Sequence, residues 1–347
     1  MMYFGKLKLA LVAIACLMVA IEGIGWQRGS DNATAAPVPY EVKDEGLLWL
    51  YSTKSGKLTA YTPDGTMKTE LNLKDSDHFL GFTPDGTKIA FAGKGGKLAA
   101  AEETEGLTLH LRSVDDRPEG VDTGFAIQPD DNFVWSQDCT EVVRVRFSEE
   151  SNVLFNLLTK KEREIALPKG YHVCSWAKDG KSWRVMKDTG GEDPKSPRNC
   201  WLSVQIDGGK STPLADDKYS LVGLKESPDG KTLLGCYREH PHVEPARCGW
   251  ATADAISGKV TSAFNFEKLG HGFSIAVLGW SPNGGRVACL RYDFADAGMK
   301  TRSATLFVSD PDRKNEKQIL KIEIDGDHIG FYGWFPTKPK ATVSKPR

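Results

Sequence analysis

Residues 280–288 read WSPNGGRVA: an aromatic residue, a Ser-Pro pair, an Asn-Gly pair and then a short apolar run. This is the sequence of a tight turn, because proline fixes its own φ and glycine accepts the positive φ that closes a hairpin. Related stretches are FTPDGTKIA at 82–90, WSQDCTEVV at 135–143, WAKDGKSWR at 176–184 and ESPDGKTLL at 226–234. Each copy therefore predicts two antiparallel strands joined by one turn.

An aromatic residue precedes the turn in nearly every copy. It is Phe82, Trp135, Trp176, Trp280 and, before the degenerate copy FPTK, Trp334, whereas Glu226 is the exception. The turns themselves contain Asp85-Gly86, Asp138, Asp179-Gly180, Asp229-Gly230 and Asn283-Gly284. We interpret these residues as structural anchors, one set in each repeated unit, and not as copies of an active site.

The turns recur at intervals of roughly forty to fifty-five residues, which fits a four-stranded propeller blade. A second predicted hairpin follows the first in each unit. Three predicted strands within residues 47–73 have no opening strand, and HIGFYGWFP at 328–336 is an opening strand with no followers. We therefore predict an all-β, six-bladed β-propeller of four-stranded antiparallel blades. The N-terminal and C-terminal strands share one blade, which removes the exposed sheet edges.

The (S/T)-P-(D/N)-G turn behind an aromatic residue resembles the repeat of the TolB-like, WD-repeat-like β-propellers. The resemblance covers about residues 46–340 and implies their fold. It implies no single activity, because such propellers serve as scaffolds, sugar-active enzymes and regulatory domains. We expect no counterpart of the α/β domain that precedes the propeller in the periplasmic Tol-system protein, so that protein's function is not carried over.

The first residues have the pattern of an export signal. Lys6 and Lys8 precede an apolar run from Leu9 to Ile21, which is shorter than the roughly twenty residues of a membrane span and typical of a signal peptide. The small residues at 33–35 offer a cleavage site, and the alternative is an uncleaved anchor over residues 7–26. We predict an exported protein, periplasmic or at the cell surface.

The predicted domain organisation follows from these boundaries. Residues 1–35 are a signal peptide or anchor with a linker, 36–45 a short leader, 46–340 the propeller and 341–347 a tail. The 45 basic and 46 acidic residues nearly balance, which argues against a nucleic-acid partner. We expect membrane contact only through the N-terminal segment, if it is retained.

Six cysteines follow residue 35, an even number that permits disulfides in an exported chain. Cys236 and Cys248 flank a predicted hairpin tip and would be bridged if they lie opposite each other. The alternative for the others is a buried free thiol; these are Cys139, Cys174, Cys200 and Cys289. Their spacing does not match a zinc site, and we predict no cofactor.

In a propeller, the loops before the first strand of each blade and those between the second and third strands share one face. Four histidines lie at or just before a predicted first strand: His78, His172, His271 and His328. We take them as candidate ligand-binding residues at the channel mouth. They could converge on a metal ion, as in propeller-fold pectate-fragment lyases. The favoured alternative is that the blades hold them too far apart to share one ion.

One further loop on that face has a composition suited to ligand binding. The stretch EHPHVE contains Glu239, His240, His242 and Glu244. These side chains could bind a divalent ion, but a solvated hairpin tip is the favoured interpretation.

No G-x-S-x-G nucleophile motif occurs in the sequence. We predict a non-catalytic extracytoplasmic binding or scaffolding propeller that recognises a protein or a glycan through its loops. The alternatives are a metal-assisted polysaccharide lyase or hydrolase at the channel mouth, and a sensory ectodomain on a membrane anchor.

Overall fold

A computed structural model describes the strands of the chain and their shorter connections. The described residues are 46–52, 54–73, 78–94, 107–114, 120–128, 131–188, 199–207, 210–216, 219–239, 248–265, 273–294, 301–324 and 329–337. The predicted signal or anchor segment and the leader lie outside them. Among these residues, no helix is long and apolar enough to cross a membrane.

The described residues form 24 strands. The first twelve are β1 Gly46–Ser52, β2 Lys57–Tyr61, β3 Met67–Asn72, β4 His78–Phe82, β5 Lys88–Lys94, β6 Leu107–Ser113, β7 Val121–Ile127, β8 Asn132–Trp135, β9 Glu141–Arg146, β10 Ser151–Asn156, β11 Glu162–Glu164 and β12 His172–Trp176. The others are β13 Ser182–Asp188, β14 Asn199–Gln205, β15 Ser211–Leu214, β16 Tyr219–Glu226, β17 Thr232–Glu239, β18 Cys248–Asp254, β19 Val260–Asn265, β20 Phe273–Trp280, β21 Val287–Phe294, β22 Thr301–Ser309, β23 Lys317–Glu323 and β24 Ile329–Pro336.

The strands form six antiparallel four-stranded sheets, which confirms the predicted six-bladed propeller. Blades 1 to 5 are β4–β7, β8–β11, β12–β15, β16–β19 and β20–β23, each in chain order. Blade 6 has the order β24-β1-β2-β3, so the C-terminal strand opens the blade that the N-terminal strands complete, as predicted. Gly46 at the start of β1 pairs with Pro336 at the end of β24.

The first strand of each blade lies at the inner wall of the ring, since these strands pack against one another between neighbouring blades, as β8 does against β12 and β24 against β4. The antiparallel order gives the propeller two faces. The "turn face" carries the hairpins between first and second and between third and fourth strands. The "loop face" carries the connections between second and third strands and between blades.

Apolar side chains fill the spaces between blades. The ring of Phe125 in blade 1 stacks on that of Phe155 in blade 2, with centroids 4.4 Å apart. Trp201 in blade 3 donates its indole N–H to the carbonyl oxygen of Leu221 in blade 4 at 2.8 Å. Because no blade can bury both faces alone, stability comes from these contacts between neighbours.

The aromatic residues before the turns are buried where each first strand ends. Phe82, Trp135, Trp176, Trp280 and Trp334 are all at most 9% exposed. The indole of Trp280 also donates a hydrogen bond to the carbonyl oxygen of Lys225 in the preceding blade at 3.0 Å. These residues therefore join one blade to the next at the turn face.

A hydrogen-bonded cycle explains the residue types of the repeated turn. The hydroxyl of Ser227 donates to Oδ1 of Asp229 at 2.6 Å and accepts the amide of Thr232 at 2.9 Å. Oδ1 of Asp229 also accepts the amide of Lys231 at 3.1 Å, and Gly230 adopts a φ of 73°. The degenerate copy at 135–143 keeps this cycle, with Ser136, Asp138 and Thr140 making the corresponding hydrogen bonds. Cys139 adopts the positive φ there in place of glycine.

Four inner strands, β4, β12, β20 and β24, contain a second repeated feature, a β-bulge two residues before the anchor position. The pairing shifts past Leu80 in β4, past Cys174 in β12 and past Tyr332 in β24. In β4 the residue after the bulge is Gly81, whose φ of 137° is strained for other residue types. The sequence pattern LGF, LGW or YGW is thus the signature of a bulged inner strand.

The strand register of β17 and β18 bears on the predicted pairing of Cys236 with Cys248. Cys236 lies opposite Trp250 and Cys248 lies opposite Arg238. The two cysteines are thus offset by two residues in the strand register. In this diagonal arrangement their Cα atoms lie about 7–8 Å apart. A disulfide needs a Cα–Cα distance of about 4.4–6.8 Å, so a bond between these two cysteines would require a shift of the strands. The disulfide stays a prediction, which thiol titration can test. Of the other cysteines, Cys139, Cys174 and Cys200 are partly buried and Cys289 is buried.

Candidate functional site

The structure describes the side chain of one of the four predicted channel-mouth histidines. His172 begins β12 on the loop face and is 9% exposed. His78 begins β4 at the same level of the ring, but the description covers only its backbone. His271 and His328 lie outside the described residues, as do His240, His242 and Glu244, while Glu239 is the last residue of β17.

An aromatic cluster that the sequence analysis did not single out lies at the loop-face end of the inner wall. It consists of Tyr51 at the end of β1, Phe79 in β4 and Tyr332 in β24. The ring centroids of Phe79 and Tyr332 are 4.5 Å apart, and Tyr51 lies 5.0 Å from Phe79 and 6.0 Å from Tyr332. We call these three residues the aromatic cluster.

Tyr332 is the most accessible member of the aromatic cluster. It occupies the bulge of β24, and 36% of its surface is exposed. Its ring lies over Gly330, where a Cβ would come within 2.7 Å of a ring carbon. Burial of the phenol raises the pKa of Tyr332, and the neighbouring Tyr51 adds to this. The hydroxyl therefore stays protonated at neutral pH and can donate a hydrogen bond to a ligand.

Blade 2 carries a network of fixed charges on the same face. The carboxylate of Asp131 is fully buried and accepts hydrogen bonds from Nε of Arg146 at 2.8 Å and from the amide of Gln128 at 2.7 Å. Arg146 also donates to Glu149 at 2.8 Å, and these bonds raise its pKa, that to Asp131 foremost. Arg144 donates to the carbonyl oxygen of Ala126 at 2.6 Å. The network therefore fixes the positions of charged groups where the loop-face connections of blade 2 begin.

His172 lies beside this network. Its ring packs against Phe147, with centroids 4.6 Å apart, and its Nδ1 atom is buried without a hydrogen-bond partner among the described residues. Burial lowers the pKa of His172, and the negative charge of Glu150 opposes this in part. The imidazole is thus mostly neutral at physiological pH, a state in which one ring nitrogen donates a hydrogen bond and the other can accept one or bind a metal ion.

Two grooves open between blades towards the turn face, away from the predicted site. One, of about 550 Å³, lies between blades 2 and 3 and is lined by Arg163, Trp183, Gln205 and Asp207 among others. The other, of about 360 Å³, lies between blades 4 and 5 and is lined by Asp229, Trp280 and Asn283 among others. The second groove contains turn and anchor residues, which already have structural roles, whereas the first is lined mainly by residues of β11, of β13 and of the β14–β15 hairpin.

Sequence comparison gives no family. No protein-family model matches the chain, and no curated protein matches it.

Solved structures give the fold. TolB from Acinetobacter baumannii is 16% identical over 85% of this chain and 68% of its own, with a TM-score of 0.58. A putative TolB from Agrobacterium tumefaciens is 18% identical, covering 80% and 90% of the two chains, with a TM-score of 0.47. An oligogalacturonate lyase in complex with manganese is 15% identical, covering 80% and 72%, with a TM-score of 0.45. We transfer no functional residue from these structures. The six closed blades and the likeness to TolB from Acinetobacter baumannii together show that the chain has the fold of the TolB-like six-bladed β-propellers.

Proposed function

We propose that the chain is a non-catalytic, extracytoplasmic binding or scaffolding module that recognises a protein or a glycan through its loop face. The main observation in support of this proposal is the exposure of Tyr332 on the inner wall. A large aromatic side chain in a propeller is normally buried between blades, as the anchors are. An exposed ring backed by Phe79 and Tyr51 is a surface on which a ligand can be packed.

The chemistry of the aromatic cluster suits both ligand classes. Tyrosine is enriched among the residues that dominate protein interfaces, because it combines a rigid apolar ring with a polar tip. The same combination stacks on the apolar face of a sugar ring and bonds to its hydroxyls. Glu149 in blade 2, whose side chain is 53% exposed and hydrogen-bonded by Arg146, would add a negative charge for recognition, and the buried pair of Asp131 and Arg146 keeps that geometry rigid.

A photo-cross-linking experiment tests the proposal. The photoreactive residue p-benzoylphenylalanine replaces Tyr332 in the full chain, expressed in the cell that makes it, and the adducts are identified by mass spectrometry. The matched control carries the same residue at Leu158, which is exposed on the turn face. We expect an adduct that forms from position 332 and is weakened by Phe79→Ala. An array of purified glycans, probed with the wild-type protein, covers the second ligand class.

The outcomes separate the proposal from its alternatives. Absence of both a specific adduct and a bound glycan would contradict the binding proposal. Metal analysis addresses the lyase or hydrolase alternative, because a catalytic site holds its ion with about three protein ligands. Within the described side chains, no group of three or more His, Cys, Asp or Glu residues is placed to hold a metal ion. A stoichiometric ion that is lost in His172→Ala would favour the enzyme.

Export and attachment are parts of the proposal with a direct test of their own. The Lys6, Lys8 and apolar run pattern supports export, and the resemblance to TolB-like propellers agrees with it. The mature N-terminus, read by mass spectrometry, distinguishes a cleaved exported protein from an anchored sensory ectodomain. Cleavage near residue 35 gives the first, and an intact segment 7–26 gives the second.

A further inference from the structure

The outermost strand of blade 2, β11, has an edge that differs from the outer edges of the other blades. Register shifts interrupt the pairing of β3, β7, β19 and β23 with their neighbouring strands, and irregularities of this kind blunt an edge against further pairing. β15 pairs regularly but contains Pro213. β11 pairs with β10 without a register shift and contains no proline. Among the six outer strands that the structure describes, it therefore has the edge most open to another strand.

The hydrogen bonds of β11 determine which of its backbone groups point outward. The amide of Ile165 donates to the carbonyl oxygen of Asn152 at 2.8 Å, and the carbonyl oxygen of Lys161 accepts a bond from the end of β10 at 2.9 Å. Bonded and non-bonded pairs alternate in an antiparallel ladder, so every second residue between these two bonds to β10. The amide and carbonyl groups of Glu162 and Glu164 therefore point away from the blade.

Pro213 shows that this fold accommodates a proline at an outward position of an outer strand. The amide of Gln205 donates to the carbonyl oxygen of Lys210 at 3.3 Å, and every second residue of β15 from there bonds to β14 in the same register. Pro213 is therefore one of the residues that face outward, as Ser211 is. It closes the edge of blade 3 without the loss of a bond to β14.

The groove between blades 2 and 3 lies beside the edge of β11. Arg163 of β11 and Trp183 of β13 both line it, and Cζ of Arg163 lies 5.8 Å from the centroid of the Trp183 ring. Ile165 and Ile206 add apolar surface. Nε1 of Trp183 is buried without a hydrogen-bond partner within the described residues. The groove thus offers an apolar wall, a cation and an N–H group that lacks an acceptor.

The two faces of β11 carry opposite charges. Arg163 lies on the face towards the groove, and because side chains alternate along a strand, Glu162 and Glu164 lie on the other face. All three residues are exposed. In a strand added to this edge, the two residues opposite the glutamates share their face, and basic side chains there make opposite-charge pairs. The residue between them faces the groove, where an aromatic ring packs beside Ile206 and meets the guanidinium of Arg163.

We propose that the edge of β11 binds an extended peptide segment of a partner protein, in which an aromatic residue stands between two basic residues. The peptide forms a fifth strand of blade 2. Hydrogen bonds to its main chain supply affinity, and the groove and the two glutamates select its side chains. The site lies at the outer rim of blade 2, away from the aromatic cluster on the inner wall, so it stands or fails separately from the proposed function.

Peptide selection tests the predicted specificity. A phage-displayed library of random linear nonapeptides is panned on the purified full chain, with wells that lack the protein as the reference. We expect enriched sequences in which an aromatic residue lies between two basic residues. On the double variant Glu162→Lys with Glu164→Lys, acidic residues should replace the basic ones, because the charges of the edge are reversed. No enrichment over the empty wells, or the same enriched sequences on both proteins, would overturn the proposal.

A proline variant tests the backbone contacts. Glu164→Pro removes an outward N–H and leaves the bonds to β10 in place, so we expect an unchanged thermal midpoint. Binding of an enriched peptide, synthesised with fluorescein and followed by fluorescence anisotropy, should weaken at least about tenfold. Glu164→Gln removes only the charge and should weaken binding about two- to fivefold. Ser211→Pro, at an outward position of β15, is the matched control and should leave the affinity unchanged.

The comparison of these variants decides the mode of binding. A peptide that binds Glu164→Pro as tightly as Glu164→Gln would overturn the proposal, because its main chain would then not pair with β11. If the thermal midpoint of Glu164→Pro falls, the charge-reversed double variant decides instead, since it changes only exposed side chains and keeps every backbone group.

Discussion

The side chains of Glu226 and Arg184 form a buried ion pair across the junction of blades 3 and 4. Nη2 of Arg184 lies 3.3 Å from Oε1 of Glu226, and the two side chains are 8% and 6% exposed. The amide of Lys178 donates to the other carboxylate oxygen at 3.3 Å. Burial raises the pKa of Glu226, and the charge of Arg184 opposes this. Glu226 holds the position that an aromatic ring holds in the other five blades, so this junction uses charge where the others use apolar contact.

Removal of one partner of this pair should destabilise the propeller strongly. Glu226→Ala leaves the guanidinium of Arg184 buried without its counter-charge, and we expect a loss of about 3–5 kcal/mol in the free energy of unfolding. The double variant Glu226→Trp with Arg184→Leu replaces the pair by the apolar junction of the other blades. We expect it to be as stable as the wild type or more so. Urea denaturation measures both, and Glu162→Ala in an exposed strand is the control. A Glu226→Ala protein as stable as the wild type would show that the pair is solvated.

The turn acid of blade 2 allows a test of the hydrogen-bonded cycle. Oδ1 of Asp138 accepts bonds from the Ser136 hydroxyl at 2.7 Å and from the amide and hydroxyl of Thr140 at 3.1 and 2.9 Å. Asparagine retains this oxygen, as Asn283 does in blade 5. We expect Asp138→Asn to change the free energy of unfolding by less than about 0.5 kcal/mol, and Asp138→Ala to reduce it by about 1–2 kcal/mol.

The same turn gives an acid dependence with a definite sign. Burial raises the pKa of Asp138, but the bonds from Ser136 and Thr140 outweigh this and hold it below its ordinary value of 3.8. A carboxyl with a depressed pKa stabilises the folded state above its unfolded pKa, and this stability is lost as the pH falls through the folded pKa. As the pH falls below 3.8, the wild type should therefore lose unfolding free energy relative to Asp138→Asn, which cannot titrate at this position. A difference between the two proteins that does not change with pH would contradict the assignment.

The fold could be read from the sequence because each blade repeats the same local rules. Proline and glycine in the turn, an aromatic residue before it and a regular interval fix the strands without knowledge of distant contacts. The copy YTPDGT at 61–66 shows the limit of this reasoning. It connects β2 and β3, the third and fourth strands of blade 6, so the motif specifies a tight hairpin and not its place in the blade.

Gly81, beside the bulge of the inner strand β4, should be required for stability only because of its backbone conformation. Gly81 has a φ of 137°, and a Cβ there would meet no atom within 4 Å. We expect Gly81→Ala to lower the free energy of unfolding by about 1–3 kcal/mol through backbone strain. Gly285 is the matched control, because its φ is not positive and its nearest contact would be at 3.4 Å. Thermal and urea unfolding measure both variants. Equal stability of the two would mean that the bulge relaxes to a conformation open to alanine.

The candidate site was less predictable than the fold, because it depends on residues that are far apart in the sequence. Tyr51 and Tyr332 meet only because the two ends of the chain share blade 6. The bulge that exposes Tyr332 follows from the pairing of β24 with β1, although the Gly in YGW is a signal that could have indicated it. Asp131 likewise acquires its role from Arg146, which lies on the neighbouring strand of the same blade.

The titration of His172 should appear in the pH dependence of stability. Burial lowers its pKa below the value of 6.5 expected in the unfolded chain, with Glu150 opposing this in part. The folded state therefore binds a proton less readily than the unfolded state. The stability that this provides is complete above pH 6.5 and is lost as the pH falls through the lower folded value. His172→Phe keeps an aromatic ring beside Phe147 but cannot titrate. We expect the wild type to lose more stability than this variant between about pH 7.5 and pH 5, measured as the difference in urea unfolding free energies. Parallel pH profiles would show that the imidazole is solvated and that the buried Nδ1 atom is not maintained in solution.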